Sequence, residues 1–126
     1  MRILFAVFSA VTSLVFFGVG VMKLVNTPLF VAQLGLPSPV VVLLGLLELA
    51  GAAGLLIGLR VRLLGAAAAI GSSLLMVGAV GFHVMNGDLV PSGALPVVLL
   101  VFAVVVAVQH VRALRPARAT APSSLD

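Results

Sequence analysis

Three ionisable side chains stand inside otherwise apolar runs of the sequence: Lys23, Glu48 and His83. A carboxylate, an ammonium and an imidazole can hold an ion pair, pass a proton or bind the polar head of a lipophilic ligand. Glu48 lies in "GLLELAG", Gly45 to Gly51, where two readings stand side by side. Paired with Lys23, it would fix the order of helices; alone or tuned by neighbours, it would handle protons or a ligand. Lys23 either snorkels to an interface or meets a ligand. His83 is either a hydrogen-bonded structural imidazole or a proton shuttle. A carboxylate at the centre of a membrane helix costs roughly 2.5 to 3.5 kcal/mol, and each surrounding Leu, Val or Ile returns roughly 0.3 to 0.6, so the segment inserts with or without a partner for Glu48.

The elements that must position these groups follow from composition. The 126 residues are 63% hydrophobic and 8% charged, which fits an integral membrane protein with the lipid bilayer as its main partner. Four apolar stretches approach the roughly 20 residues that a membrane-crossing helix needs: about 3–25, 39–59, 63–85 and 94–111. Between the first two, "NTPLFVAQLGLPSP" carries Pro28, Gly35, Pro37 and Pro39, which leave room for a short interfacial turn around Leu29 to Leu34. Arg60 to Arg62 forms a tight hairpin, and "NGDLVPSG" turns the third span into the fourth, with Asp88 read as a solvated turn residue. Residues 1–112 thus form one transmembrane domain, an all-α bundle of four transmembrane helices. The polar, proline-containing segment 113–126 is expected to be disordered. Arg2 ahead of an apolar run resembles a signal peptide, but the run is long enough for a full span and has no polar mature start behind it.

Four spans place the N-terminus, the Arg60–Arg62 hairpin and the C-terminal tail on one side. That side holds Arg2, Arg60, Arg62, Arg112, Arg115 and Arg118, and the two opposite loops hold no Lys or Arg. The positive-inside rule makes both termini cytoplasmic in a multi-pass protein of the cell membrane.

A sixty-residue offset aligns "TSLVFFGVGVMKLVN" (Thr12 to Asn26) with "SSLLMVGAVGFHVMN" (Ser72 to Asn86), matching Lys23 to His83. "PVVVLL" at Pro39 then meets "PVVLLV" at Pro96, so the bundle reads as a tandem repeat of two helical hairpins. At 1.5 Å per residue, Glu48 lies roughly 13 Å below the outer end of its helix, and Lys23 and His83 roughly 4 to 5 Å below theirs. Side chains lean toward the N-terminus of their own helix, so Lys23 and His83 lean inward while Glu48 leans outward, and the three converge. Thr12, Phe16, Gly20 and Lys23 share one helical face, as do Ser72, Met76, Ala79 and His83. Phe16 and Met76 are therefore candidate ligand contacts beside the three ionisable groups.

Several chemistries are excluded. The chain has no cysteine, so thiolate nucleophiles and iron–sulfur ligation are out of reach and any redox group must be borrowed. His83 and His110 lie at opposite membrane faces and make no metal site. Gln109 and His110 stand at the cytoplasmic end of the last span, where polar residues are ordinary. Net charge is +4, with basic groups too dispersed for nucleic acid. The small residues Gly18, Gly20, Gly45, Gly51, Gly54, Gly58 and Gly78, with Gly71 and Gly81, are expected to let helices approach closely, within the bundle or in a homo-oligomer.

"GVGVMKL" closing the first span, "GLLELAGAAGLLIG" in the second, the late histidine of the third and "ALPVVLL" opening the fourth together resemble the DoxX-like small membrane proteins. The resemblance covers about Leu4 to His110 and rests chiefly on Gly20-x-x-Lys23 and on Glu48 within Gly-Leu-Leu-Glu. It implies a four-helix bundle. The family takes its name from a subunit of a thiosulfate:quinone oxidoreductase, and its members are implied to act as membrane partners of redox or thiol-stress complexes or as assembly factors. The expected function is an anchoring or accessory subunit of a quinone-linked redox complex, holding a quinone or other lipophile near Glu48. Lack of cysteine removes direct thiol chemistry without touching quinone binding. The alternatives are a small membrane enzyme using Glu48 as acid or base, with Lys23 and His83 tuning it, and a proton-coupled transporter.

Overall fold

The computed structural model describes residues 2–116. Five helices follow one another: α1 (Arg2–Val25), α2 (Thr27–Leu34), α3 (Ser38–Gly58), α4 (Arg62–Asn86) and α5 (Ala94–Leu114). Four of them, all but α2, are long and apolar enough to cross a membrane. No strand occurs among the described residues. The chain is an all-α, four-span membrane protein.

Local chemistry sets the breaks. The Thr27 hydroxyl donates to the carbonyl oxygens of Lys23 and Leu24 at 2.8 and 3.2 Å, closing the end of α1, and Pro28 stands in the first turn of α2. The expected interfacial turn is this full helix α2. Gly35 ends it in the left-handed conformation, φ 65°, donating its N–H to the Val31 carbonyl. Extended Pro37 then precedes α3, whose first turn tolerates Pro39 because that N–H would have no helical partner. At the far end of the chain α5 runs on to Leu114, past the expected end at Val111. Of the expected tail, residues 113–116 are thus described, the first two as helix, and 117–126 lie outside the described residues.

Helix α1 packs most extensively on α3, and α4 on α5, so the two sequence hairpins are also the two closest pairs. The α3–α4 seam joins them and a lighter α1–α5 contact closes the ring, leaving α1 diagonal to α4 and α3 diagonal to α5. Two apolar layers cross the interior. Phe16, Ala52, Met76, Leu99 and Ala103 bring one contribution or more from each long helix. Nearer the termini lie Leu55, Ala69, Val106 and Ala107, with Phe8 packed against them. Large apolar side chains such as Ile3, Leu14, Leu63 and Met85 point outward, as expected where the solvent is hydrocarbon and every backbone bond is satisfied within a helix.

Small residues decide how closely the helices approach. A Cβ on Gly20 would lie 2.9 Å from the Gly45 carbonyl oxygen, and one on Gly45 3.1 Å from that of Gly20, so α1 and α3 touch backbone to backbone. Along the α3–α4 seam, Gly51 faces Ser72, Gly54 faces Ala68 and Gly58 faces Gly65. Gly18, Gly71, Gly78 and Gly81 have no such neighbour, which corrects the expectation that they set helix approach inside the bundle. The reason is angular. Gly18 stands two residues from both Phe16 and Gly20, and thus about 200° round the helix from the buried stripe.

Candidate functional site

The end of the bundle that carries α2 holds a partly open cavity of about 730 Å³. Its walls are mostly apolar, and Lys23, Gln33, Glu48, His83 and Ser92 supply the polar groups. Phe30, Gln33 and Leu34 of α2 line one part of it, and Met76 and Leu99 of the first apolar layer line another.

Lys23 and Glu48 form a buried ion pair. The ammonium donates to both carboxylate oxygens, at 2.6 and 2.9 Å, with Lys23 only 9% and Glu48 3% exposed. The lean of each side chain explains the meeting. Lys23 inclines back toward Gly20 and Glu48 back toward Gly45, so the pair forms at the level where those two glycines bring the backbones together. Phe30 of α2 places its ring 5.5 Å from the Lys23 ammonium, within cation–π range. Lys23 therefore does not snorkel; it is held between a carboxylate and an aromatic face.

His83 lines the same cavity but has its own partner. Its Nδ1 lies 3.0 Å from Oδ1 of Asp88. The intervening turn produces this contact: the Gly87 N–H reaches the Val84 carbonyl and the Asp88 N–H the His83 carbonyl, a pattern that folds the chain back over the helix end. Gly87 adopts φ 69°, which its missing Cβ makes cheap. Asp88 is thus not simply solvated, which corrects the reading of "NGD". An ionised carboxylate only accepts, so Nδ1 donates, and whenever the ring is neutral Nε2 is its acceptor edge. The three expected groups line one cavity in two arrangements: Lys23 and Glu48 pair with each other, and His83 pairs with Asp88, which lies outside the cavity lining.

Of the two other candidate contacts, Met76 lines the cavity and Phe16 does not. Phe16 is fully buried in the apolar layer beneath it, one turn deeper on α1 than Gly20. Thr12 and Ser13 on the same helix are buried below that. The Ser13 hydroxyl donates to the Ala52 carbonyl at 2.7 Å, tying α1 to α3, and the Thr12 hydroxyl donates to the Phe8 carbonyl at 2.8 Å.

Four positions mattered more than their sequence context suggested. Phe30 and Gln33 reach the cavity from α2, and their three-residue spacing put them on one helical face. Ser9 is fully buried and continues the stripe of Thr12, Phe16, Gly20 and Lys23, so its periodicity was a usable signal. His110, expected at an ordinary polar helix end, is 0% exposed, with its ring edge-on to Phe5 at 4.7 Å and packed where Gly65 has no side chain. Both ring nitrogens lack a hydrogen-bond partner among the described residues.

Comparison with known proteins adds one positive finding. A family model described as the DoxX-like family matches residues 7–106. No curated protein and no solved structure matches the chain.

Proposed function

The chain belongs to the DoxX-like family, and from that premise we propose that it is an anchoring or accessory subunit of a membrane redox complex, with a lipophile held in the cavity beside Glu48. The cavity itself is the observation that carries this reading. About 730 Å³ of mostly apolar wall with a few convergent polar groups is the form of a site for a hydrophobic molecule with a polar head. A quinone suits this donor set: Lys23, Gln33 and Ser92 offer N–H and O–H groups to ring carbonyls, and the apolar walls accept a ring and tail. When bound, a quinone would supply the electron-carrying chemistry. The residues of this chain bind it, orient it and keep water away. Without cysteine, the chain leaves sulfur chemistry to its partner. The arginine distribution supports a cell-membrane location with both termini cytoplasmic and the cavity in the outer half.

Acid–base catalysis on a lipophilic substrate is the second reading, favoured by the His83–Asp88 pair. A carboxylate that fixes an imidazole tautomer at a cavity wall is the arrangement a general base uses. Transport has less support, because the layers of Phe16 and Leu55 lie between the cavity and the terminus-bearing end.

Native mass spectrometry of the protein released gently from its membrane tests the proposal. The expected result is a complex that retains both a lipophile and a partner polypeptide. A bare chain carrying neither overturns it.

A further inference from the structure

The α3–α4 seam changes character along its length. Near the hairpin it is tight: Gly58 against Gly65, Gly54 against Ala68, Gly51 against Ser72, each step one helical turn along both helices. Continued toward α2, the same register sets Leu44 opposite Gly78 and Ala79, and Val40 opposite Phe82 and His83. Those six residues line the cavity instead. The two helices are pinned at the hairpin and part above Ser72.

The parted region opens sideways. Leu74 lines the cavity yet is 67% exposed, and a Cβ on Gly78 would meet nothing within 4 Å. Below it, a groove of about 390 Å³ runs down the outside of the same seam between Gly51 and Gly54 on one side and Gly71 and Ser72 on the other. Leu75 lines both spaces. A path therefore leads from the hydrocarbon surface of α3–α4 into the cavity.

The ion pair in the cavity wall is already balanced. The Lys23 ammonium donates to both oxygens of Glu48, and His83 is turned toward Asp88. A ligand with an ionic head would bring an uncompensated charge into a low-dielectric site or break a buried pair, and both are costly. A neutral hydroxyl or carbonyl head can instead use the remaining Lys23 N–H, the Gln33 amide or the His83 Nε2 without disturbing either pair.

We propose that the cavity is loaded laterally from the leaflet on the α2 side, through the opening between α3 and α4, and that it selects lipophiles with an uncharged polar head while their tails follow the seam groove. This rests on the cavity being a lipophile site. The test uses three photoactivatable probes with the same alkyl chain, a primary alcohol, a sulfate ester and a quaternary ammonium, each dissolved in nanodiscs holding the full chain. The expected result is labelling of Met76 or Phe82 by the alcohol, about tenfold or more above either charged probe. Equal labelling by a charged probe overturns the neutral-head selection. If no probe labels the cavity, the lipophile reading itself fails. For the route, Gly78→Trp fills the lateral opening and Gly18→Trp places the same bulk on the lipid face of α1. The Gly78 variant should slow labelling by the alcohol about tenfold while the Gly18 variant matches the parent. An unchanged rate in Gly78→Trp, or equal slowing in both, overturns lateral loading.

Discussion

Gly20 and Gly45 touch backbone to backbone at the level of the Lys23–Glu48 ion pair, each glycine three residues before the charged residue of its own helix. The carbonyl oxygen of each occupies the space a Cβ of the other would need, so neither position can accept even a methyl group unless α1 and α3 move apart. The first prediction follows from that contact. Gly20→Ala and Gly45→Ala should each destabilise the bundle by about 1–3 kcal/mol, the usual effect of overpacking against an unyielding neighbour. Gly18→Ala, facing open space, should be neutral or slightly stabilising because alanine is the better helix former. Reversible unfolding in detergent or bicelles checks the contrast; equal effects at Gly18 and Gly20 would contradict it.

The ion pair gives a second prediction, in which the double replacement costs less than the single one. Glu48→Leu leaves the Lys23 ammonium buried without its carboxylate and should cost about 3–5 kcal/mol. Lys23→Met combined with Glu48→Leu removes both charges while keeping bulk, and should recover most of that loss. If the pair serves only helix order, the double variant also keeps its bound lipophile. If the pair also binds the ligand head, stability returns and ligand retention does not. Unfolding and native mass spectrometry on the parent and these two variants separate these results.

How much of this site can be read in the sequence depends on how far each contact reaches. The meeting of Lys23 with Glu48 needs only helix direction, depth and side-chain lean, all of which follow from the span boundaries and the shared side of the arginines. The partner of His83 needs more, because the left-handed turn at Gly87 brings Asp88 back over the helix end, and "NGD" alone fits many turns. His110 was beyond reach for a different reason: its burial is created by the missing side chain of Gly65 on another helix, a tertiary fact with no local signature. The outward direction of Gly18 lay within reach, since the period of Ser9, Thr12, Phe16, Gly20 and Lys23 already set the buried face. Composition alone marks Gly18 as a packing residue in the same way as Gly20.

A third prediction concerns the tautomer of His83. With Asp88 accepting at 3.0 Å, the neutral ring should carry its proton on Nδ1 and present Nε2 unprotonated. Imidazole ¹⁵N chemical shifts in the labelled protein should show that tautomer predominating. Asp88→Ala should shift the population toward Nε2–H, the form favoured by a free imidazole. Gly87→Ala should act in the same direction indirectly, by straining a residue at φ 69° by about 1–2 kcal/mol and loosening the turn that holds Asp88. A Nδ1–H tautomer that survives Asp88→Ala would show that another group orients the ring.

The last prediction uses His110 to distinguish two kinds of glycine on the α3–α4 seam. A Cβ on Gly58 would run into the Gly65 backbone, whereas a Cβ on Gly65 would run into the His110 ring as well as the Gly58 Cα. Gly58→Ala and Gly65→Ala should both be destabilising, and His110→Ala alone should also lose stability by removing a fully buried ring that packs edge-on against Phe5. The combinations differ. With His110→Ala in place the nearest obstacle to an alanine at Gly65 is gone, so the double variant should be more stable than the sum of the single losses, by about 0.5–3 kcal/mol of coupling. Gly58→Ala gains no such relief, because its obstacle is backbone, and its effect should simply add to that of His110→Ala. A double-mutant cycle at each glycine, read by unfolding in bicelles, gives both coupling energies. Equal coupling at the two positions would mean that the ring is not what confines Gly65.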